Sequence, residues 1–178
     1  MSDTATTTPI PPDDLKRTFT LAKPDEDQSL THISVVGDTY TILLSGKETG
    51  GRYCLIDMYV PRGGGPPPHR HDFEELFTIL DGEIEATFRG EKMVVKAGET
   101  LNIPANAPHS FTNASDTPAR LLCLCSPAMQ EEFFLEIGDL VPTRTSPPPE
   151  LDEATEKERK ERAMELAPKY QTEMVKPE

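Results

Sequence analysis

Tryptophan is absent from the 178 residues, and aromatic side chains make up only 6% of them. A core built from this chain must therefore be modest and largely aliphatic, with 35% of the residues hydrophobic. Basic residues are scarce as well, 18 Lys and Arg against 31 Asp and Glu, for a net charge of −13. Phosphate backbones and anionic bilayers call for a basic face, so neither nucleic acid nor a membrane is expected as a partner. The acidic excess lies on residues 1–141, while the remaining tail is nearly balanced in charge. No apolar run approaches the length of a membrane-spanning helix, about 18 residues. Cysteine is limited to Cys54, Cys123 and Cys125. Three thiols do not make a disulfide framework, and they suit a reducing, cytoplasmic setting. The opening MSDTATTTPIPPDD has neither a basic region nor an apolar stretch, so no secretory signal is expected.

Histidine is also rare, and its placement is informative. Of four in the chain, three are His69, His71 and His109. His69 and His71 are two apart, which on a strand puts both imidazoles on one face. Glu75 follows four residues after His71 and can turn its carboxylate toward them. Imidazole and carboxylate together suit Fe, Mn, Ni, Co, Cu or Zn, so one divalent transition-metal ion is expected at His69, His71, Glu75 and His109. Glu74 and Asp72 alternate away from Glu75 and are expected at the solvated rim. His32 lies apart and reads as structural. Cys123 and Cys125 read as small buried apolar residues rather than as ligands.

Short apolar runs separated by turn signals mark an all-β sandwich or barrel. Strands are expected over 33–36, 39–44, 53–60, 75–81, 83–89, 91–96, 100–103, 109–113 and 119–126. Ile84, Ala86 and Phe88 alternate with Glu83, Glu85 and Thr87, as in a sheet with one wet face. Residues 1–14, rich in Thr, Pro and Asp, are expected to be a disordered arm. The barrel is assigned to 15–141, with a short helix over 130–138 ended by a Gly138 cap. A Pro-rich linker, 142–150, precedes a Glu/Lys/Arg-rich helix and tail, 151–178. Only Ala163, Leu166, Ala167 and Tyr170 are spaced to dock on the barrel. With every expected strand and ligand upstream, residues 143–178 are expected to be dispensable for metal binding.

The residues around the histidines form two longer patterns. The first is Gly63, five residues, His69, one residue, His71, three residues, Glu75, six residues, Gly82. The second is Gly98, five residues, Pro104, then His109 and Asn113. Together they reproduce the paired motifs of the cupin superfamily, and the chain resembles a single-domain, quercetin 2,3-dioxygenase-like cupin from about Thr41 to Leu140. Asn106 stands where the motif usually has Gly, a change that a left-handed turn tolerates. The resemblance implies a jelly-roll (double-stranded β-helix) barrel and a homodimer paired through sheet edges or exchanged N-terminal strands. It also implies an oxygen-dependent oxidoreductase, a dioxygenase cleaving a phenolic or flavonoid-like small molecule, with O₂ as co-substrate and Glu75 as catalytic base. Phe77, Phe111 and Met58 share the inward faces and are expected to wall the substrate pocket. Two alternatives stay open at this point. One is a metal-dependent isomerase or lyase acting on a small oxygenated acid or sugar, and the other is a binding module without turnover.

Overall fold

A computed structural model describes residues 9–176. Twelve strands run β1 (Thr31–Val35), β2 (Asp38–Leu44), β3 (Cys54–Val60), β4 (His69–His71), β5 (Glu74–Asp81), β6 (Glu83–Phe88), β7 (Glu91–Lys96), β8 (Thr100–Ile103), β9 (His109–Thr112), β10 (Ala119–Ser126), β11 (Asp139–Leu140) and β12 (Thr172–Met174). Three α-helices join them: α1 (Gly46–Thr49), α2 (Gln130–Ile137) and α3 (Glu153–Leu166), the last continued by a 3₁₀ turn over Ala167–Tyr170. One sheet has the order β11-β1-β2-β3-β10-β5-β8, the other β12-β4-β9-β6-β7, and every pairing is antiparallel. The result is the expected all-β jelly roll with a small helical part near its C-terminal end.

Period-two burial explains the two layers. Along β10, Ala119, Leu121, Cys123 and Cys125 are buried while the residues between them are partly exposed. Ile56, Met58, Phe77, Ile79, Leu121 and Ile103 from the larger sheet meet Ile84, Ala86 and Phe111 from the smaller one in a single core. As the composition requires, that core is mostly aliphatic.

The nine expected strands fall where alternation placed them, as β1–β3 and β5–β10, whereas the short strands β4 and β11 were not expected; the remaining differences have local causes. Val36 and Arg89 adopt positive φ, 52° and 50°, beside glycines that do the same. Both residues therefore belong to tight turns and not to β1 and β6. The short helix α1 was not expected, although Ser45 and Glu48 form its capping box. Gly138 ends α2 in an extended conformation (φ −96°) and not in the left-handed cap expected of it. Its smallness serves packing instead, because a Cβ there would lie 2.3 Å from Ile33 Cγ2. This close approach lets the chain run straight on into β11 beside β1.

The C-terminal segment departs furthest from expectation. Ala163 and Leu166 pack against the core, and Ala167 and Tyr170 are buried, as their spacing predicts. Beyond them, however, β12 joins the smaller sheet as a twelfth strand. Residues 9–14 carry no regular structure and are exposed, and the irregular stretch runs on to residue 30, so the arm extends past its expected end at 14 and the barrel begins at β1; the part of the predicted arm at 1–8 lies outside the described residues. Among the described residues, no helix is long and apolar enough to cross a membrane.

Candidate metal centre

The site starts from a loop that must pass close to β9. Gly65, at φ 125°, lies so near this strand that a Cβ would sit 2.1 Å from the Phe111 carbonyl oxygen. Only glycine combines that backbone angle with that approach. Pro66, Pro67 and Pro68 then keep the chain extended into β4. His69 consequently pairs in register with His109 of β9. His71 shares the inward face of His69, and Glu75 enters from the second residue of β5. At the far side of the bend, Asn106 takes φ 67°, the left-handed angle its position demands, and its N–H donates to the His71 carbonyl at 2.7 Å.

The four side chains converge as the sequence predicts. One ligand atom from each of His69, His71, Glu75 and His109 lies within 4.8 Å of all the others. All four residues are buried, with 2–7% of their surface exposed. The ring of Phe73 stacks on that of His71 at 3.8 Å, fixing its plane.

Hydrogen bonding decides which nitrogens face inward. The Nδ1 atoms of His69, His71 and His109 meet the carbonyls of Pro67, Phe73 and Ala107 at 2.9, 3.0 and 2.9 Å. A carbonyl only accepts, so each Nδ1 carries the hydrogen. In a neutral ring that leaves Nε2 as a bare lone pair. Yet Nε2 of His71 and Nε2 of His109 both lie 3.1 Å from the same oxygen, Glu75 Oε2. Lone pairs facing a carboxylate in a buried site need positive charge between them, either protons or a cation. Backbone carbonyls that set the tautomer of ligating histidines are the usual support of a bound ion. The donor set therefore fits a first-row transition metal, and nothing in it selects one such metal over another.

The electrostatics agree. Burial pushes the Glu75 carboxyl upward, but its contacts with His109 and His71 outweigh this and hold it well below the usual range. Burial lowers His109 while Glu75 raises it more, for a net upward shift. His69 is pushed down to about 4, first by burial and then by the neighbouring His109. It is neutral near pH 7 and ready to donate a lone pair.

Other residues sort themselves around this group. Glu74 is exposed, as expected, but its carboxylate is engaged by Asn102 Nδ2 and the Ala105 N–H, each at 3.2 Å. Asp72 is exposed and accepts from Asn106 Nδ2 at 2.7 Å. His32 lies apart, with Nδ1 2.7 Å from Thr41 Oγ1. Phe77 and Phe111 pack edge to face at 5.3 Å, and both are buried, as is Met58.

Two features were not anticipated. Cys123 and Cys125 are buried as expected, but they are not merely apolar filler. Their Sγ atoms lie 3.3 and 3.7 Å from Glu75 Oε1, the carboxylate oxygen turned away from the histidines. Contact with Cys125 lowers the Cys123 thiol, but burial and the Glu75 charge prevail and push it up to about 12. A protonated thiol there donates to Glu75. The alternation of β10 pointed both sulfurs inward; the β5–β10 register that sets Cys125 opposite Glu75 has no local sequence signal.

The second feature is the tail. β12 pairs with β4, setting Thr172 opposite His71 and Met174 opposite His69. The Asp72 N–H donates to the Gln171 carbonyl and the Val175 N–H to the Pro68 carbonyl, both at 3.0 Å. Arg70 and Glu173 form an ion pair between the same strands. The expectation that every strand lies upstream of 143 is thus overturned, because an open sheet edge at β4 takes the tail as its partner.

Known proteins place this geometry. Residues 56–125 match the Cupin domain family. An uncharacterised protein of Methanocaldococcus jannaschii is 31% identical over 117 residues, which cover 65% of this chain and 94% of that one. Quercetin 2,3-dioxygenase of Bacillus subtilis is 35% identical over 72 residues, 40% of this chain but only 21% of that enzyme. Among solved structures, KdgF from Halomonas sp. superposes with a TM-score of 0.55 at 18% identity, covering 65% of this chain and 99% of KdgF. At that identity the likeness speaks for the fold alone.

Proposed function

Because the chain belongs to the cupin superfamily, we propose that its buried His/Glu group holds one divalent transition-metal ion and serves an oxygen-dependent dioxygenase. The substrate class is a phenolic or flavonoid-like small molecule. The observation that carries the metal is the convergence of two Nε2 lone pairs on Glu75 Oε2, with every Nδ1 committed to a carbonyl. Partial similarity to quercetin 2,3-dioxygenase supports the oxygenase reading over one region of the chain.

His69, His71 and His109 would hold the ion through their inward nitrogens, with Glu75 as the single carboxylate of the group. A bound ion of this kind supplies Lewis acidity and, for redox metals, access to O₂ chemistry. The protein's own part is to bind, orient and handle the proton. Glu75 is the base that takes the substrate's phenolic proton. Phe73 keeps the His71 ring from rotating. Phe77 and Phe111 offer apolar faces on the inward side of β5 and β9. The nearest basic side chains in sequence, Arg62 and Arg70, are engaged by Asp116 and Glu173. That arrangement favours a neutral aromatic substrate over a sugar phosphate or a small acid.

The same proposal includes a homodimer in the cytoplasm. Leu15, Phe19 and Leu21 of the arm are exposed in the single chain, by 88%, 86% and 68%, and a second copy would cover them. The test of function is oxygen uptake by Fe-, Mn-, Ni- and Co-loaded protein against a phenolic panel that includes quercetin. Uptake that disappears in Glu75→Gln is the expected result. Tight ligand binding without uptake under every metal would favour the binding module, and turnover without oxygen the isomerase or lyase.

A further inference from the structure

Glu75 presents two different environments to its two oxygens. Oε2 faces the imidazoles of His71 and His109. Oε1 faces sulfur, with Cys123 Sγ at 3.3 Å, Cys125 Sγ at 3.7 Å and the two sulfurs 3.6 Å apart. These three atoms form a nearly equilateral triangle. The centre of such a triangle is about 2.0 Å from each corner, so an ion just out of its plane meets the usual distances of about 2.3 Å to thiolate and 2.0–2.2 Å to carboxylate. The sulfurs are too far apart to be bonded to each other, and all three cysteines are free thiols. Cys54, fully buried, stands opposite Cys125 across the β3–β10 ladder, within the same inward-facing layer.

We propose that Cys123, Cys125 and Glu75 Oε1 form a second metal subsite, selective for a soft d¹⁰ cation such as Zn(II) or Cd(II), set back to back with the histidine centre. Its chemistry is distinct from that centre. Two sulfurs select thiophilic cations, whereas imidazole and carboxylate accept the whole first-row series. Glu75 bridges the two, giving Oε2 to one ion and Oε1 to the other, in the manner of carboxylate-bridged two-metal centres. Each thiol loses its proton to solvent as its metal–sulfur bond forms, so one divalent ion replaces two protons and nothing is oxidised or reduced. Occupation of this subsite fixes the Glu75 carboxylate and removes thiol donation to Oε1. A thiophilic ion would thereby govern how freely Glu75 moves at the histidine side.

Cadmium alone, added to the full chain after chelation, tests the subsite. The wild-type protein is expected to take up two Cd(II) per chain and to show the ultraviolet sulfur-to-cadmium charge-transfer band. Cys123→Ser combined with Cys125→Ser should take up one and lose the band. His71→Ala combined with His109→Ala should also take up one but keep the band, which separates failure of this subsite from failure of the histidine centre. Alkylation mapped by mass spectrometry on wild-type protein guards against a variant that does not fold. Cd(II) should slow labelling of Cys123 and Cys125 at least tenfold. A wild-type protein that binds a single Cd(II) without the band, a band that survives in the double Cys variant, or unchanged labelling rates would each overturn the proposal.

Discussion

The N-terminal arm and the C-terminal tail both lie outside the central β1–β10 barrel, yet they bury very different amounts of themselves. Along the arm, Ile10, Leu15 and Phe19 keep 94%, 88% and 86% of their surface exposed. In the tail, Ala167, Tyr170 and Thr172 keep 2%, 3% and 4%. Tyr170 packs against Phe133 of α2 with ring centres 5.3 Å apart and donates its hydroxyl to Glu136. The contrast follows from what each end finds to pair with. The β4 strand is only three residues long, carries two of the four side chains of the candidate centre, and has an unprotected edge until β12 satisfies it. Among the described residues, the arm pairs with no strand edge of its own chain.

If the tail fixes β4 and the arm does not touch the centre, their deletions must differ. Removing 167–178 is expected to have the largest effect. It takes away the β4–β12 pairing and the buried Tyr170, a loss on the order of 3–5 kcal/mol in stability. Because part of that loss falls on the strand bearing His69 and His71, metal affinity should drop at least tenfold in calorimetric titration, with β-sheet retained by circular dichroism. Unchanged affinity would reduce the tail to a stabilising flap.

Acidification comes next in size. Metal binding needs neutral imidazoles, and His109 is the ring whose proton affinity Glu75 raises, while His69 stays neutral down to about pH 4. Protons therefore compete first at His109, and occupancy should fall as pH drops below neutrality and recover as it rises. The tail-deleted protein, holding its ion less firmly, should lose it at a higher pH than the full chain. Coincident release profiles would break the link between β12 and the centre.

Deleting residues 1–22 should leave metal content unchanged and move the mass measured by light scattering toward the monomer. Loss of metal in that variant would mean that the arm reaches the centre, from its own chain or from a second copy. The smallest effect is expected from Glu173→Ala. Its ion pair with Arg70 is about half exposed on both sides, so it is worth under about 1 kcal/mol. The backbone ladder would remain, and metal affinity should barely change.

These contrasts also mark what the sequence could disclose. The grouping of the four side chains was legible because local rules bring them together: alternation aligns His69 with His71, and motif spacing returns His109 to the same cavity. The strands of the barrel were legible from period-two burial, as along β10. Thr172-Glu173-Met174 has no periodicity, and it becomes a strand only because β4 offers an edge about a hundred residues earlier in the chain. The Cys–Glu75 contact was hidden for a related reason, since the register of β10 against β5 is a property of the folded sheet. Gly138 resembles a helix cap in sequence, and only the proximity of Ile33 reveals its role in packing.

The central claim is that His69, His71, Glu75 and His109 hold a transition-metal ion. Its most direct test is metal analysis of the full chain, expressed and purified without a nickel-affinity step, beside the His71→Ala and His32→Ala variants. Wild type and His32→Ala should carry one more transition-metal ion per chain than His71→Ala, with all three folded. Equal metal content in all three proteins would contradict the account.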